Sequence, residues 1–349
     1  MKPESNSPLV SIVVLNYNTS GLLDKFIPRI QETEYNNFEI VVVDNASTDN
    51  SVELVKERFP DVKVICHDSN LGFAEGYNKA LDQLDSEYWV LLNSDVEVHP
   101  HWLQPMMNMI ISNDKLAAIG PKILDYFKKD HFEYAGAAGG YMDKWAYPFC
   151  KGRLFHTLEK DEGQYDQRSE VFWVSGAAFL VKAKLYREVG GLDPVLFAHM
   201  EEIDLCWRFK NRGYEIWTCP EAKVYHMGGA TLSKQSRHKS FLNFRNNLAI
   251  IVKNAPRNKL FRKIFVRLLL DSIAAIRYLF SPQWKHFFSI IHAHWDFLFF
   301  FKRWWRSRKK ESGPFMFSDH EGYYHKSVVG AYFLEGRKKV SELEGFPLD

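Results

Sequence analysis

The sequence predicts an α/β fold built on a doubly wound, mostly parallel sheet, followed by a C-terminal amphipathic helical segment. Three observations predict it. Short β-branched apolar runs alternate with stretches of helical apolar spacing over the first hundred residues, as in parallel strands joined by crossover helices. Each of these runs ends in polar residues, at the edge where such sheets bind ligands. Beyond residue 257 the pattern changes to longer helical periodicities rich in aromatic and basic side chains.

The elements follow in order. Residues 10–15 (VSIVVL) form a short apolar run ending at Asn16-Tyr17-Asn18, which reads as a buried strand. Residues 22–31 carry helical spacing, and residues 38–43 (FEIVVV) read as a second strand ending at Asp44-Asn45. Residues 49–59 are expected to form a helix, with Asn45 to Asp49 supplying candidate caps. A third strand is expected at 62–66, a helix at 72–84, and a fourth strand at 88–92 (YWVLL), ending at Asn93-Ser94-Asp95.

Composition bounds the function. The 349 residues are 46% apolar and 25% charged, ordinary for a globular chain with a sizeable core. Four cysteines (Cys66, Cys150, Cys206 and Cys219) show no CxxC or ligand spacing, so neither a disulfide framework nor a zinc site is expected. A reducing compartment fits this usage. The N-terminal apolar run is too short for a signal peptide, and no run of about 18 apolar residues predicts a spanning helix. The net charge of +2 hides an asymmetry: from Lys234 to Lys310 there are 18 basic residues against two acids, Asp271 and Asp296. A dinucleotide site would require GxGxxG after the first strand, and NYNTSG lacks it.

Two acidic stations carry the candidate chemistry. An aspartate ending an apolar strand can hold a divalent cation against a diphosphate, because Mg2+ and Mn2+ take few protein oxygens and complete their shells with phosphate and water. Asp95 suits that role, and Asp44 could accept hydrogen bonds from a base or ribose. The second station is HMEEIDLCWR (199–208), with Glu201, Glu202 and Asp204 opening a helix. Asp204 and Arg208 lie four apart and can pair. Glu202 shares its side with Leu205, Cys206 and Phe209, so its pKa is expected to rise toward that of a general base. All three acids also suit a first helical turn.

The stretch 133–155 (EYAGAAGGYMDKWAYPFCKGRLF) suggests a glycine- and aromatic-rich loop, either closing over substrate, with Arg153 or Lys151 as a diphosphate contact, or a plain surface loop. Trp173 is a candidate for stacking on a sugar face or for the core. Within KLFRKIFVRLLLDSIAAIRYLF (259–280), Lys263, Arg267 and Asp271 recur every four residues; Lys285, Ser289, His292 and Asp296 make a second polar stripe, and KRWWRSRKK (302–310) follows. Such basic, aromatic-edged helices suit a membrane interface, and so apolar a segment argues against nucleic acid. The alternative is a helical pair packed on the rest of the chain through its apolar faces. Residues 311–349 give no readable signal.

The chain resembles the family 2 glycosyltransferases of the GT-A fold, rhamnosyltransferase-like branch, between about Val10 and Leu232. Seven motifs in order carry the resemblance: VSIVVLNYN, VVVDNASTDNS, NLGFAEGYNKA, LLNSDVEV, SGAAFLVKAKLYREVGGLDP, MEEIDLCWR and VYHMGGAT. It implies that Tyr17 lies beside the nucleobase and Asp44 hydrogen-bonds it, with Asn70, Gly72, Asn78 and Asn93 lining the donor pocket. It also implies that Asp95, in NSD where the family has DxD, is the main contact for Mg2+ or Mn2+, with His226 as a second ligand. Glu202 falls where the family has a catalytic aspartate, beside Glu201.

The expected activity is inverting transfer of a sugar, dTDP-rhamnose being a first candidate donor, to a hydroxyl of a lipid-linked or cell-surface glycan acceptor. A catalytically inactive nucleotide-sugar-binding partner of another transferase is the alternative. The expected organisation is a transferase domain at 1–235, a membrane-association segment at 236–310 and a tail at 311–349, peripheral to the inner face of the membrane.

Overall fold

The computed structural model describes residues 7–133, 136–228, 236–308 and 317–346. Strands β1 (Val10–Asn16), β2 (Phe38–Asp44), β3 (Lys63–Cys66) and β4 (Tyr88–Asn93) run parallel in the order β3-β2-β1-β4. Helices α1 (Ser20–Gln31), α2 (Ser51–Arg58) and α3 (Gly72–Leu81) make the crossovers. The chain steps from β1 to β2 and β3 on one side, then returns to β4 on the other. This reversal opens a crevice at the carboxyl ends of β1 and β4, the position where doubly wound sheets bind ligands.

After β5 (Val96–Val98), α4 (Leu103–Ser112) and β6 (Leu116–Asp125), the chain leaves the main sheet. It forms a small second sheet from β7 (Gly140–Asp143), β8 (Pro148–Cys150), β9 (Arg153–Leu154) and β10 (Thr157–Leu158). It returns through β11 (Ser169–Glu170), β12 (Ala178–Lys182), α5 (Ala183–Val189), α6 (Glu201–Lys210) and β13 (Glu215–His226). The main sheet reads β11-β13-β6-β12-β4-β1-β2-β3, with β5 on β13 and β12 antiparallel to both β4 and β6. The expected doubly wound class holds, with the β1–β4 half wholly parallel and the half from β5 to β13 mixed.

The strands are buried on both faces, as parallel strands between helices require. Ile12, Val14, Val42 and Leu92 pack with Leu23 and Ile27 of α1 and Met106 and Ile110 of α4. Val13, Val41, Val43 and Leu91 pack on the opposite face with Ala74 and Tyr77 of α3 and Leu205 and Trp207 of α6.

One expectation is corrected here, and the tail that gave no readable signal proves structured. The stretch 133–155 is not a substrate loop over its described part: residues 140–154 carry the three short strands β7, β8 and β9 joined by turns, and the glycines serve packing. A Cβ on Gly140 would lie 2.0 Å from the Trp173 ring, and one on Gly139 2.5 Å from Thr218. The tail also has structure. Its strand β14 (Tyr323–Tyr324) adds parallel to β7, and Phe346 meets the Tyr141 ring at 4.7 Å.

Among the described residues four α-helices lie between β13 and that strand: α7 (Arg237–Asn254), α8 (Arg257–Leu279), α9 (Lys285–Phe299) and α10 (Phe301–Ser307); α11 (Val328–Phe333) follows it. The last two residues of the KRWWRSRKK motif lie outside the described residues. Helix α8 is turned inside out. Its charged stripe of Lys263, Arg267 and Asp271 is buried, with Lys263 Nζ donating to Lys144 O and Arg267 Nη1 to Ala146 O at 2.9 Å. Its apolar side faces outward: Phe261 and Phe265 are each 67% exposed, and Ile273 is 59% exposed. Trp284, Phe288, Trp295 and Phe299 extend this exposed surface along α9. Leu260, Ile264 and Ala275 of α8 pack inward beside this stripe, Leu260 and Ile264 in one cluster with Phe297 of α9, so apolar and charged contacts together anchor the helix while its remaining apolar side stays outward. No helix among the described residues is long and apolar enough to cross a membrane.

Candidate active site

The polar residues ending β1 and β2 lock the floor of the crevice. Asn16 Nδ2 donates to Asp44 Oδ1 (2.8 Å) and Ser47 Oγ (3.0 Å), and Ser47 N donates to Asp44 Oδ2 (2.9 Å). Asp44 is buried, yet each carboxylate oxygen retains a lone pair beyond these bonds. Tyr17 follows β1 half-buried, and Asn18 reaches across with Oδ1 accepting from Thr48 N at 2.7 Å. Asn70 Oδ1 accepts from Gly72 N (2.9 Å) and Asn45 Nδ2 (3.1 Å), which shapes the turn into α3. Gly72 has φ +75, and a Cβ there would lie 2.5 Å from the Phe197 ring. Only glycine fits that position.

At the end of β4, Asn93 N donates to Ala177 O (2.9 Å), and Thr19 Oγ1 donates to Ser94 Oγ (3.0 Å), tying β4 to the β1 side. Asp95 is buried, with Oδ1 3.1 Å from His226 Nε2. Strand pairing explains the encounter, since His226 stands opposite Val96 in the β13–β5 register. His226 Nδ1 lies 3.3 Å from Glu133 Oε2, so one imidazole bridges two buried carboxylates. Burial alone would depress this histidine, but hydrogen bonds and charge from Asp95 and Glu133 outweigh it and push the pKa up to about 10.

This donor set fits a divalent cation of the Mg2+ or Mn2+ type. Once a cation displaces the Nε2 proton, His226 would supply one nitrogen beside an Asp95 oxygen, and Glu133 would accept from Nδ1 and hold that tautomer from behind. Among the described residues no group of three or more His, Cys, Asp or Glu side chains is arranged to hold a metal. A cation here would therefore depend on diphosphate oxygens and water for the rest of its shell.

The acid cluster divides by function. Asp204 is fully buried and accepts from Arg208 Nε (2.9 Å), Lys253 Nζ (2.8 Å) and Asn254 Nδ2 (2.8 Å). Burial works against its ionisation, yet Lys253 and Arg208 hold its carboxyl down at about 2. Glu201 and Glu202 have no such partners, and one oxygen of each lacks a hydrogen bond among the described residues. Burial, then the neighbouring Glu202, raises Glu201 well above the usual carboxylate range. Burial pushes Glu202 up to about 7, against amide hydrogen bonds from its own residue, Ile203 and Gly176. The Glu202 carboxyl carbon lies 3.7 Å from where a Gly176 Cβ would stand, and the next residue, Ala177, holds Asn93. Ala178 pairs with Leu92, so the base candidate and the Asn93-Ser94-Asp95 motif meet at one sheet edge.

The segment leading into α6 is strained. Phe197, His199 and Met200 have φ of 64°, 67° and 74°. Each left-handed non-glycine residue costs on the order of 1–3 kcal/mol and persists only where its surroundings over-determine it.

Other expected contacts lie elsewhere. Asn78 is committed to the turn before α6, with Nδ2 donating to Leu192 O (2.8 Å) and Oδ1 accepting from Tyr186 Oη (2.7 Å) and Leu192 N (3.1 Å). It is a structural tie rather than a donor-pocket contact. Trp173 is core: it is 7% exposed, and its Nε1 donates to Tyr141 O at 3.0 Å. Arg153 sits on β9 of the small sheet beside Cys150 and His156, and buried Lys151 approaches Ser169. Sequence reasoning missed Glu133, which no motif marks. It also missed Asn246, whose signal was an Asn pair inside an apolar helical run.

This fold, with a polar crevice at the reversal point and acids at the sheet edge, is the GT-A arrangement of glycosyltransferases. Two solved structures share it at identities that show the fold alone. One is GalNAc-T7 with UDP, GalNAc and Mn2+ (TM-score 0.55, 15% identity, 71% of this chain and 48% of that one). The other is the mannosyltransferase PcManGT of Pyrobaculum calidifontis with GDP-Man and Mn2+ (TM-score 0.52, 16% identity, 84% and 88%). Residues 11–190 match glycosyl transferase family 2, and the chain belongs to that family. It is related to the N-acetylglucosaminyl-diphospho-decaprenol L-rhamnosyltransferase of Mycobacterium tuberculosis, 25% identical over 62% of this chain and 76% of that protein. The low-salt glycan biosynthesis hexosyltransferase Agl10 of Haloferax volcanii is 23% identical over 78% and 86%.

Proposed function

We propose that this glycosyltransferase moves a sugar from a nucleoside-diphosphate donor to a hydroxyl of a lipid-linked or cell-surface glycan, with inversion at the anomeric carbon. The observation that carries the reading is the meeting of two unlike acid stations at one sheet edge. Asp95 is held on His226, whereas Glu202 has its pKa raised by burial. Opposite environments for neighbouring acids separate a charge-holding role from a proton-accepting one.

Tyr17 and Asp44 bind the nucleoside, and the turn from Asn70 to Gly72, with Asn93, shapes the sugar side. Mg2+ or Mn2+ would be held by Asp95 and His226, and when bound it neutralises charge growing on the departing diphosphate. Glu202 accepts the proton of the acceptor hydroxyl as that oxygen attacks the anomeric carbon. Glu201 stays protonated beside it, so that one negative charge at most occupies the pair. A dTDP-sugar, dTDP-rhamnose first, is the donor we favour, since the chain is related to a rhamnosyltransferase.

The transferase domain extends to about residue 235, and the helices of 236–310 dock on the inner face of a membrane. Two features support this: the outward apolar side of α8 and α9, and a basic border of exposed Arg257, Lys259, Arg262, Lys302, Arg303 and Arg306. That charge complements anionic headgroups. A hollow of about 300 Å³ lined by Phe261, Phe301, Lys302, Trp305 and Arg306 lies along this border. Unpaired cysteines agree with a reducing compartment.

The test is a panel of dTDP-, UDP- and GDP-sugars with Mn2+ or Mg2+, following nucleoside diphosphate release and the anomeric configuration of the product by NMR. One active donor giving an inverted product is expected. A retained configuration, or full turnover in Asp95→Ala, would end the reading.

A further inference from the structure

The helix that begins the C-terminal unit grips the strained turn ahead of Glu202. Asn246, fully buried on α7, holds three carbonyls of that turn with the two N–H groups of Nδ2, one of them shared: Leu196 O at 2.9 Å, Ala198 O at 3.0 Å and His199 O at 2.8 Å. The carbonyl between them, Phe197 O, accepts from Phe73 N (2.9 Å) and Ala74 N (3.3 Å) at the start of α3. Four successive carbonyls are therefore fixed from two sides. Arg245 supports the arrangement: its Nε donates to Asn246 Oδ1 at 2.9 Å, and its Nη2 reaches Val195 O and Leu196 O at 3.4 Å each. Met200 O then accepts from Asp204 N at 2.9 Å and opens α6.

Nothing in the local sequence favours this backbone. Phe197, His199 and Met200 hold left-handed φ values with side chains that disfavour them, and no glycine relieves the turn. Left without its clamp, the segment would relax toward ordinary φ values and rotate the first turn of α6, where Glu202 is the second residue. Asn246 is the only side chain among the described residues that donates to three of these carbonyls from one amide.

We propose that Asn246 is a positioning residue for the catalytic base: by clamping the carbonyls of residues 196, 198 and 199 it holds the turn that aims Glu202. The inference rests on the reading of Glu202 as base. It also makes α7 part of the catalytic apparatus, with one side on the base turn and the other against α9 and α10. The C-terminal unit is then more than a detachable anchor.

The test uses the full chain with Asn246→Ala, Asn246→Asp, Glu202→Gln and the double variant Asn246→Ala/Glu202→Gln. The donor is whichever dTDP-, UDP- or GDP-sugar turns over fastest. Displacing a reacting group by about 1 Å can cost ~10²-fold, so kcat should fall ~10–100-fold in both single Asn246 variants. Calorimetric donor Kd should stay within ~3-fold, because Asn246 bonds none of the donor residues and Phe197 O keeps its own bonds to the start of α3. Asp matches Asn in shape but replaces the donating amide with an acceptor, so Asn246→Asp should be at least as damaging as Asn246→Ala. In the Glu202→Gln background, Asn246→Ala should add almost nothing, because a group already removed has no aim to lose.

Wild-type kcat in Asn246→Asp, a proportional loss of kcat and donor affinity, or full additivity in the double variant would overturn the proposal. Full turnover in Glu202→Gln alone would instead remove the base reading, a separate and visible failure. Should these variants not fold, Asn246→Ser keeps one donor on a shorter arm. It should show the same kcat loss at unchanged donor Kd in milder form, and unchanged kcat there overturns the proposal.

Discussion

Replacing Phe265 and Ile273 together by glutamate tests the outward face of α8. The two positions lie eight residues apart on one helix face, 67% and 59% exposed, so neither supports the core. Fully burying a Phe or Ile side chain contributes ~1.5–3 kcal/mol. About two thirds of each side chain is available to lipid, so the pair would lose ~2–4 kcal/mol of transfer free energy on substitution. Two added negative charges facing an anionic surface add ~1 kcal/mol each. The sum of ~4–6 kcal/mol predicts a fall in vesicle partitioning of ~10³–10⁴-fold, since 1.4 kcal/mol is tenfold. The assay is co-sedimentation of the full chain with phosphatidylglycerol–phosphatidylcholine vesicles, alongside the melting temperature, which should hardly move for exposed sites. Equal partitioning of wild type and double variant would refute the reasoning. So would a wild type that ignores vesicles and instead pairs with a second copy through this face.

Other consequences follow from the buried charges. Asp204→Ala takes the carboxylate from buried Arg208 and leaves Lys253 with Asp193 alone, and should cost ~3–5 kcal/mol at neutral pH, read by urea unfolding. The Asp204 carboxyl lies at about 2 when folded, below its ordinary 3.8, so it stabilises the fold above about pH 4 and loses that contribution as pH falls toward 2. The gap between wild type and Asp204→Asn should therefore narrow by ~2 kcal/mol on acidification through that window, and a widening gap would contradict the assignment. Glu133→Gln, behind the His226 imidazole, should raise the Mn2+ concentration for half-maximal activity ~10–100-fold while leaving turnover at saturating metal largely intact. Gly140→Ala drives a methyl group into the Trp173 ring and should destabilise by ~1–3 kcal/mol without changing donor affinity.

The sequence made the first half of the sheet legible almost to the residue. The run expected at 38–43 is β2 (Phe38–Asp44), and the run at 88–92 is β4 (Tyr88–Asn93), because short β-branched stretches buried on both faces have few alternatives. The small sheet was illegible for the opposite reason. Its strands are two to four residues long, and β7 pairs with Tyr323 and Tyr324 some 180 residues away, so neither period nor proximity announces it. In α8 the spacing of Lys263, Arg267 and Asp271 was readable, but periodicity defines two faces without saying which points inward. The pairing of Asp204 with Arg208 followed from helical spacing. Its bonds to Lys253 and Asn254 depended on where α7 would dock. Glu133 reaches His226 only through the packing of the segment after β6 against β13.

The most direct measurement is the pH profile of kcat/KM for wild type and Glu202→Gln with the active sugar nucleotide. A base whose pKa burial lifts to about 7 should produce an acid limb, with activity rising as pH climbs through that value. Glu202→Gln should fall ~10²–10⁴-fold and lose the limb. Near-normal turnover in that variant, or an acid limb that survives it, would contradict the division of labour between Asp95 and Glu202.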